Sequence, residues 1–256
     1  MKVGIIGHMG FVGAAFFKAF SEGKGHSVTG IDRQNYATLR GTRFDILVNC
    51  NGNSSKRLAE SDPAEDFDAN ASATVRALLD FPCEHYVHIS TVEVYNDKTG
   101  QEATREDVRI DPSGLSNYGF SKYCGELAAM KYAKSCMVLR LAGMVGPGMK
   151  KGPAYDILAQ GRLFISSKSE LHFMHTRDVA RIAMLLCSKG KWGETYNVVG
   201  RGTLPLSEFA SIAGTGLSGE GDDVVKFSIS TAKLQGVCPV PESKEAVKKF
   251  VGEWGR

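Results

Sequence analysis

The stretch "MKVGIIGHMGFVGAAFFKAF", residues 1–20, decides the fold. Val3 to Ile6 is a short apolar run that reads as a buried strand. Gly7, Gly10 and Gly13 follow at three-residue spacing, and from Phe11 to Phe20 the apolar residues recur at helical intervals. A strand that passes through glycines into a helix lets backbone N–H groups approach a pyrophosphate at the positive end of the helix dipole. Gly7, Gly10, Phe11, Val12 and Gly13 are therefore the candidate contacts for a dinucleotide, with His8 and Met9 filling the variable loop positions. Phe16, Phe17 and Phe20 fit the core face of the helix.

Outward from this unit, "HSVTGID" is a second strand ending at Asp32. A carboxylate there accepts hydrogen bonds from the adenine ribose hydroxyls and repels a 2′-phosphate, which favours NAD over NADP. Arg33, directly behind it, leaves NADP open. "FDILVNCNGNSS" reads as a buried strand from Ile46 to Asn49 with a polar loop after it. A crossover helix capped at Ser61, with Pro63 in its first turn, is expected next, its apolar stripe running through Phe67, Val75, Leu78 and Leu79. "HYVHIS" is another strand, leading into "STVEVY" at residues 90–95. Alternating strands and helices give an α/β fold with a doubly wound parallel sheet, whose ligands bind beyond the carboxyl ends of the strands. Ser90, Thr91 and Glu93 stand at such an end.

"SNYGFSKYCGE" at residues 116–126 places Tyr118 and Lys122 one helical turn apart on the same face. A phenol beside a fixed cation is a means of acid–base chemistry near neutral pH. The helix is expected to run from Ser116 or Asn117 to Tyr132, and the strand "CMVLRLAGMVG" follows it. Beyond Pro147 come an "AYDILAQ" helix, "FMHTRDVARIAMLLCSK" as a strand edge turning into a helix capped at Thr176 or Asp178, the strand "ETYNVVG", a helix at Ser207–Ala213, a short strand "VVKFSI" and a terminal helix in "PESKEAVKKFVGEW". Residues 1–148 with 174–200 make the dinucleotide domain, and 149–173 with 201–256 a small C-terminal substrate lobe.

In 256 residues, 31 basic and 28 acidic side chains leave a net charge of +3 with no basic tract, so nothing marks a nucleic-acid partner. Six scattered cysteines form no C-x-x-C pair, no histidine cluster suggests a metal, and no stretch is long and apolar enough for a membrane span. A reducing, cytoplasmic setting is the expectation.

Together these pieces resemble the extended short-chain dehydrogenase/reductases, and within them the NAD-dependent epimerase/dehydratase family. The resemblance runs from Lys2 to about Gly202 and is collinear: G-x-x-G-F-V-G at 7–13, Asp32, "DP" at 62–63 with Asn70 and Thr74, "STVEVY" at 90–95, "YGFSK" with Glu126, "LRLAGMVGPG" at 139–148, "HTRDVA" at 175–180 and "YNVVG" at 196–200. It implies a Rossmann-like fold and NAD as cofactor, with NADP the alternative. Tyr118 would be the acid–base and Lys122 would lower its pKa while holding the nicotinamide ribose. Thr91, ahead of its neighbour Ser90, would bond the substrate oxygen. Glu93 matches a position where relatives that dehydrate or decarboxylate sugars carry a catalytic glutamate. Asn70 is expected to bond structurally, Arg140 and Asp178 to support loops, and His175 to be a satisfied, partly buried histidine. The implied substrate is a nucleotide sugar and the implied reaction epimerisation or reduction. The resemblance also implies a homodimer through the helix containing "ELAAMKYAK".

Three departures qualify this. Only "RQNYATLRGTRF" separates Asp32 from the third strand, where relatives fit a helix and another strand, so one sheet strand and its adenine-side acid are expected to be missing. Leu171 stands where relatives often place an arginine for the diphosphate, leaving Arg162, Lys168 or Arg201 as substitutes. Val92 replaces the aspartate of sugar 4,6-dehydratases, which disfavours that reaction unless Glu93 takes over. The competing reading is a non-catalytic dinucleotide-binding regulator or scaffold on the same fold.

Overall fold

The computed structural model describes residues 1–255, in two compact units. The first comprises Met1–Asn96, Arg109–Arg140 and Ala180–Tyr196; the second comprises Asp97–Val108, Leu141–Val179 and the chain from Asn197 onward.

The strands, in chain order, are β1 (Lys2–Ile6), β2 (Ser27–Ile31), β3 (Phe44–Asn49), β4 (Cys83–Thr91), β5 (Cys136–Leu141), β6 (Gly143–Val145), β7 (Glu170–Leu171), β8 (Phe173–His175), β9 (Thr195–Val198) and β10 (Leu204–Pro205). Six of them form the main sheet in the order β2-β1-β3-β4-β5-β9. β1 pairs in parallel with both β2 and β3, and β3 in parallel with β4. The order reverses between β1 and β3, which makes their carboxyl ends the topological switch point where ligands of such sheets bind. Helices Phe11–Glu22, Asn117–Tyr132 and Thr176–Ser188 serve as crossovers, as the alternation of patterns required. One apolar cluster, including Ile6, Ile31, Phe44, Leu47, Phe81, Tyr86 and Val138, closes one face of this sheet. In the second unit, β6 pairs in parallel with β8, and β7 antiparallel with β10.

The sheet ends at β2, as the short "RQNYATLRGTRF" segment implied: between β2 and β3 lies only the one-turn helix Tyr36–Leu39. The Asn35 side chain occupies the open edge. Its Nδ2 donates to the Gly30 carbonyl at 2.9 Å and its Oδ1 accepts from the Asp32 N–H at 2.9 Å. Two edge groups that a further strand would have paired are thus satisfied locally.

The crossover before β4 differs from its sequence reading. It is a helix at Lys56–Ser61, a second at Pro63–Phe67, a π-helical turn at Asp68–Ser72 and a third helix at Ala73–Asp80. Ser61 closes the first piece. The cap is Asp62, whose carboxylate accepts from the Glu65 N–H, with Pro63 behind it in the first turn. The expected apolar stripe fails as well, because Phe67 and Leu79 are exposed while Asp66, Asn70 and Thr74 are buried. The wider π turn rotates the faces of the segments on either side of it, so a 3.6-residue count carried across it points the wrong way. The "VVKFSI" segment makes no strand; it contributes a single bridge from Lys226 to Glu170.

Glycine is required where the first loop closes. Gly7 has φ +76°, and a Cβ on Gly13 would sit 2.1 Å from the Gly7 carbonyl oxygen. Gly13→Ala is therefore expected to cost roughly 1–3 kcal/mol by overpacking, read as a fall in the urea midpoint, whereas Gly10→Ala, with its nearest atom at 3.2 Å, costs less.

Candidate functional site

At the carboxyl end of β1, Gly10 caps the Phe11–Glu22 helix without any side-chain acceptor. Gly10 N–H bonds Gly7 O and Ala14 N–H bonds Gly10 O, which leaves the N–H groups of Phe11, Val12 and Gly13 at an uncapped, positive helix end. Asp32 follows β2 directly. Its Oδ1 accepts from the N–H groups of Gln34 (2.8 Å) and Asn35 (3.2 Å), so one oxygen organises its own turn. Arg33 is exposed and makes no ion pair among the described residues.

The helix Asn117–Tyr132 lies against the end of β4. Its N-cap is Ser116, which accepts from the Gly119 N–H at 3.2 Å. It comes so close to the turn Val92–Val94 that a Cβ on Gly119 would lie 2.5 Å from the Glu93 carbonyl oxygen. The glycine of "YGFSK" is what lets Tyr118 reach Thr91. Tyr118 is 8% exposed, Lys122 6% and Thr91 8%.

Thr91 stands close enough to Tyr118 for its hydroxyl to act on the phenol. Burial raises the Tyr118 pKa well above that of a free phenol; the Thr91 hydroxyl pulls it down, and the charges of Glu93 and Asp66 push it up further. Lys122 Nζ donates to the Ile89 carbonyl at 2.7 Å, and burial lowers its pKa to about 8 against the opposing pull of Glu126 and Asp66. In this arrangement burial holds Tyr118 as the phenol. The physical reason is desolvation: excluding water from the phenolate costs more than the groups around it return.

Ser90 and Thr91 face opposite ways, as neighbours on a strand must. Ser90 Oγ donates to Glu126, whose two oxygens also accept from Arg140 Nε (3.0 Å) and Nη2 (2.7 Å). Both members of this ion pair are buried, and the guanidinium lies 4.8 Å from the Tyr95 ring centroid. Arg140 is therefore a core anchor rather than a loop support. Glu93 pairs with Lys56 and is near enough to act on Tyr118. Val92 is buried, and no acid replaces it there.

A polar cluster that sequence reasoning missed lies under this helix. Asp66, fully buried, accepts from Asn53 Nδ2 (2.6 Å), Asn70 Nδ2 (2.8 Å) and the Ser121 hydroxyl. Asn70 Nδ2 also reaches Ser121 Oγ at 3.1 Å, the structural bonding expected of it. The available signal was the four-residue spacing of Asp66, Asn70 and Thr74, a polar stripe set beside the apolar one.

In the second unit, Leu171 is buried and pairs with Leu204 in the β7–β10 ladder. Of the basic residues weighed as its substitutes, Arg201 pairs with Glu242, Arg162 lies 5.6 Å from the Phe164 ring centroid, and Lys168 is exposed. His175 is buried, its Nε2 3.2 Å from Glu253, and Asp178 lies 3.9 Å from Lys249. Among the described residues no cluster of three or more His, Cys, Asp or Glu is placed to hold a metal, and no helix is long and apolar enough to cross a membrane.

A model of the NAD dependent epimerase/dehydratase family matches residues 3–199. No curated protein sequence matches the chain. Among solved structures, UDP-glucuronic acid 4-epimerase from Bacillus cereus, in complex with a fluorinated UDP-glucuronic acid and NAD, superposes with TM-score 0.84 at 18% identity, covering 98% of each chain. A UDP-galactose 4-epimerase gives 0.81 at 22% identity, covering 98% of this chain and 97% of its own. A dTDP-4-dehydrorhamnose reductase from Clostridium acetobutylicum gives 0.82 at 17% identity, with both chains covered in full (100%).

The Glu126–Arg140 pair supports a stability prediction. Arg140→Met strands a buried carboxylate and is expected to cost about 3–5 kcal/mol in urea unfolding, most of it recovered when Glu126→Leu is added.

Proposed function

Because the chain belongs to the NAD-dependent epimerase/dehydratase family, we propose that it is a sugar-nucleotide epimerase or reductase that binds NAD, with NADP the alternative, and uses Tyr118 as its acid–base. One observation carries the reading: Tyr118 and Thr91 are both buried at the carboxyl end of β4, with Thr91 near enough to act on the phenol and Lys122 one turn further along the same helix, its Nζ on the Ile89 carbonyl. A pure binding module has no use for a buried phenol so placed.

The residues present fit the dinucleotide. The uncapped N–H groups at Phe11, Val12 and Gly13 would hold its pyrophosphate, Asp32 the adenine ribose and Lys122 the nicotinamide ribose. When bound, the cofactor supplies the acceptance and return of a hydride. The chain's own work is with the proton. Tyr118, held as the phenol, hands a proton to a ketone oxygen, or takes one from a hydroxyl when the reaction runs the other way. Thr91 bonds the same oxygen and fixes it in line with the phenol. A dehydratase or decarboxylase centred on Glu93 is the weaker reading, since Val92 cannot donate a proton and Glu93 is tied to Lys56.

The same helix leaves Phe120, Leu127 and Met130 exposed, which supports a homodimer through that face. Leu127→Glu is then expected to shift the sedimentation coefficient from dimer to monomer.

Assayed against a panel of UDP-, dTDP-, GDP- and CDP-sugars, Tyr118→Phe is expected to lower turnover by about 10²–10⁴-fold while calorimetric binding of NAD⁺ stays close to wild type. Turnover surviving the substitution would remove Tyr118 from the chemistry.

A further inference from the structure

In "GIDRQNY", residues 30–36, the acid that would meet the adenine ribose is followed at once by a basic residue, and the two favour opposite cofactors. Asp32 accepts from ribose hydroxyls and repels a 2′-phosphate, whereas Arg33 would pair with that phosphate. Arg33 is exposed and makes no ion pair among the described residues, so its guanidinium is at hand. Which of the two decides depends on whether the Asp32 side chain can turn aside.

Asp32 is held at its side chain and at its backbone. Its Oδ1 accepts from the N–H groups of Gln34 at 2.8 Å and Asn35 at 3.2 Å, and its own N–H donates to Asn35 Oδ1 at 2.9 Å. Asn35 Nδ2 donates in turn to the Gly30 carbonyl at 2.9 Å, so one side chain straps the end of β2 to the acid that follows it. The far side of the turn is anchored as well. Tyr36 N–H bonds the Asp32 carbonyl, the Tyr36 hydroxyl donates to Asp80 Oδ2 at 2.9 Å, and the ring meets Phe81 edge-on with centroids 4.9 Å apart. Only Oδ2 of the Asp32 carboxylate has no partner among the described residues. The acid is thus fixed, with one oxygen spent on the turn and the other left for a ribose hydroxyl.

We propose that Asn35 is a specificity-determining residue for the cofactor: it positions Asp32, and by keeping that carboxylate from turning aside it sets the chain to NAD rather than NADP. With no strand beyond β2, no neighbouring ladder holds this edge, and the Asn35 side chain takes its place. Asn35 acts through Asp32, since its Oδ1 and Nδ2 both bond the edge itself. The proposal rests on the reading of the glycine loop and Asp32 as a dinucleotide site.

Calorimetric titration of the whole chain with NAD⁺ and with NADP⁺ tests it, without substrate or turnover. Wild type should bind NAD⁺ the more tightly. Asn35→Ala removes both side-chain bonds of the strap and should narrow that preference by about tenfold, the scale of one hydrogen bond to a charged group, with NAD⁺ weakened and NADP⁺ strengthened. Adding Arg33→Ala should abolish the gain in NADP⁺ and leave NAD⁺ where Asn35→Ala put it. A loss shared equally by the two dinucleotides is what a merely structural residue would give, and it overturns the proposal. An unchanged ratio, NADP⁺ still unbound by Asn35→Ala, or a wild type that prefers NADP⁺ does the same. Should Asn35→Ala fail to fold, Asn35→Ser, which keeps an oxygen but loses the donor to Gly30, should show the same narrowing at smaller size, and an unchanged ratio there rejects the proposal. A folded wild type that binds neither dinucleotide removes the cofactor reading and this proposal with it, whereas NAD⁺ binding with unshifted variants leaves that reading standing and rejects only the role of Asn35.

Discussion

The site depends on a polar helix being buried. The helix Asn117–Tyr132 turns Tyr118, Ser121, Lys122 and Glu126 inward, where each polar group must find a partner or destabilise the fold. Three have partners of their own: Asp66 for Ser121, the Ile89 carbonyl for Lys122, and Arg140 with Ser90 for Glu126; Tyr118 stands beside Thr91. The bidentate Glu126–Arg140 pair is the strongest of these and ties the helix to β5, while Ser90 ties it to β4. Slide the helix by one residue and these contacts are lost together; the close approach they require leaves room only for glycine at 119, where a Cβ would lie 2.5 Å from the Glu93 carbonyl oxygen.

The cofactor end is shaped by a shortage of chain. With no strand beyond β2, the adenine side of a bound dinucleotide would meet Asp32, Arg33 and the Asn35 turn rather than the wall of another strand. Asp32 spends one oxygen on that turn, so it offers the ribose less than a free carboxylate does. Affinity must then lean on the glycine loop, where close approach of Gly7 and Gly13 exposes the helix N–H groups.

Most of the fold was legible because the glycine loop, the buried strands and the Tyr/Lys helix each carry a local signal. The glycine triplet reads as a dinucleotide loop from its place between strand and helix, while strand alternation says only that Ser90 and Thr91 face opposite ways and the family resemblance put Thr91 ahead. Asp66 was passed over, although its spacing to Asn70 and Thr74 was there to read, for a physical reason. Its place is set by a π turn two residues further on, and a fixed 3.6-residue period counted through that turn assigned the buried face to Phe67 and Leu79. Arg140 was visible as a residue but not as a partner, since its pairing with Glu126 joins a strand to a helix 14 residues away in the chain. "VVKFSI" misled because β-branched residues favour a strand only where a ladder is at hand.

As the proposed acid–base, Tyr118 is held protonated by burial and is poised to give; in a reductase it must then regain a proton from solvent before the next turnover. An epimerase needs the phenol to take a proton and give it back, so its ionised form must become accessible within the cycle. The two charges that resist ionisation differ in their partners: Glu93 pairs with Lys56, while Asp66 is held by the neutral donors Asn53, Asn70 and Ser121.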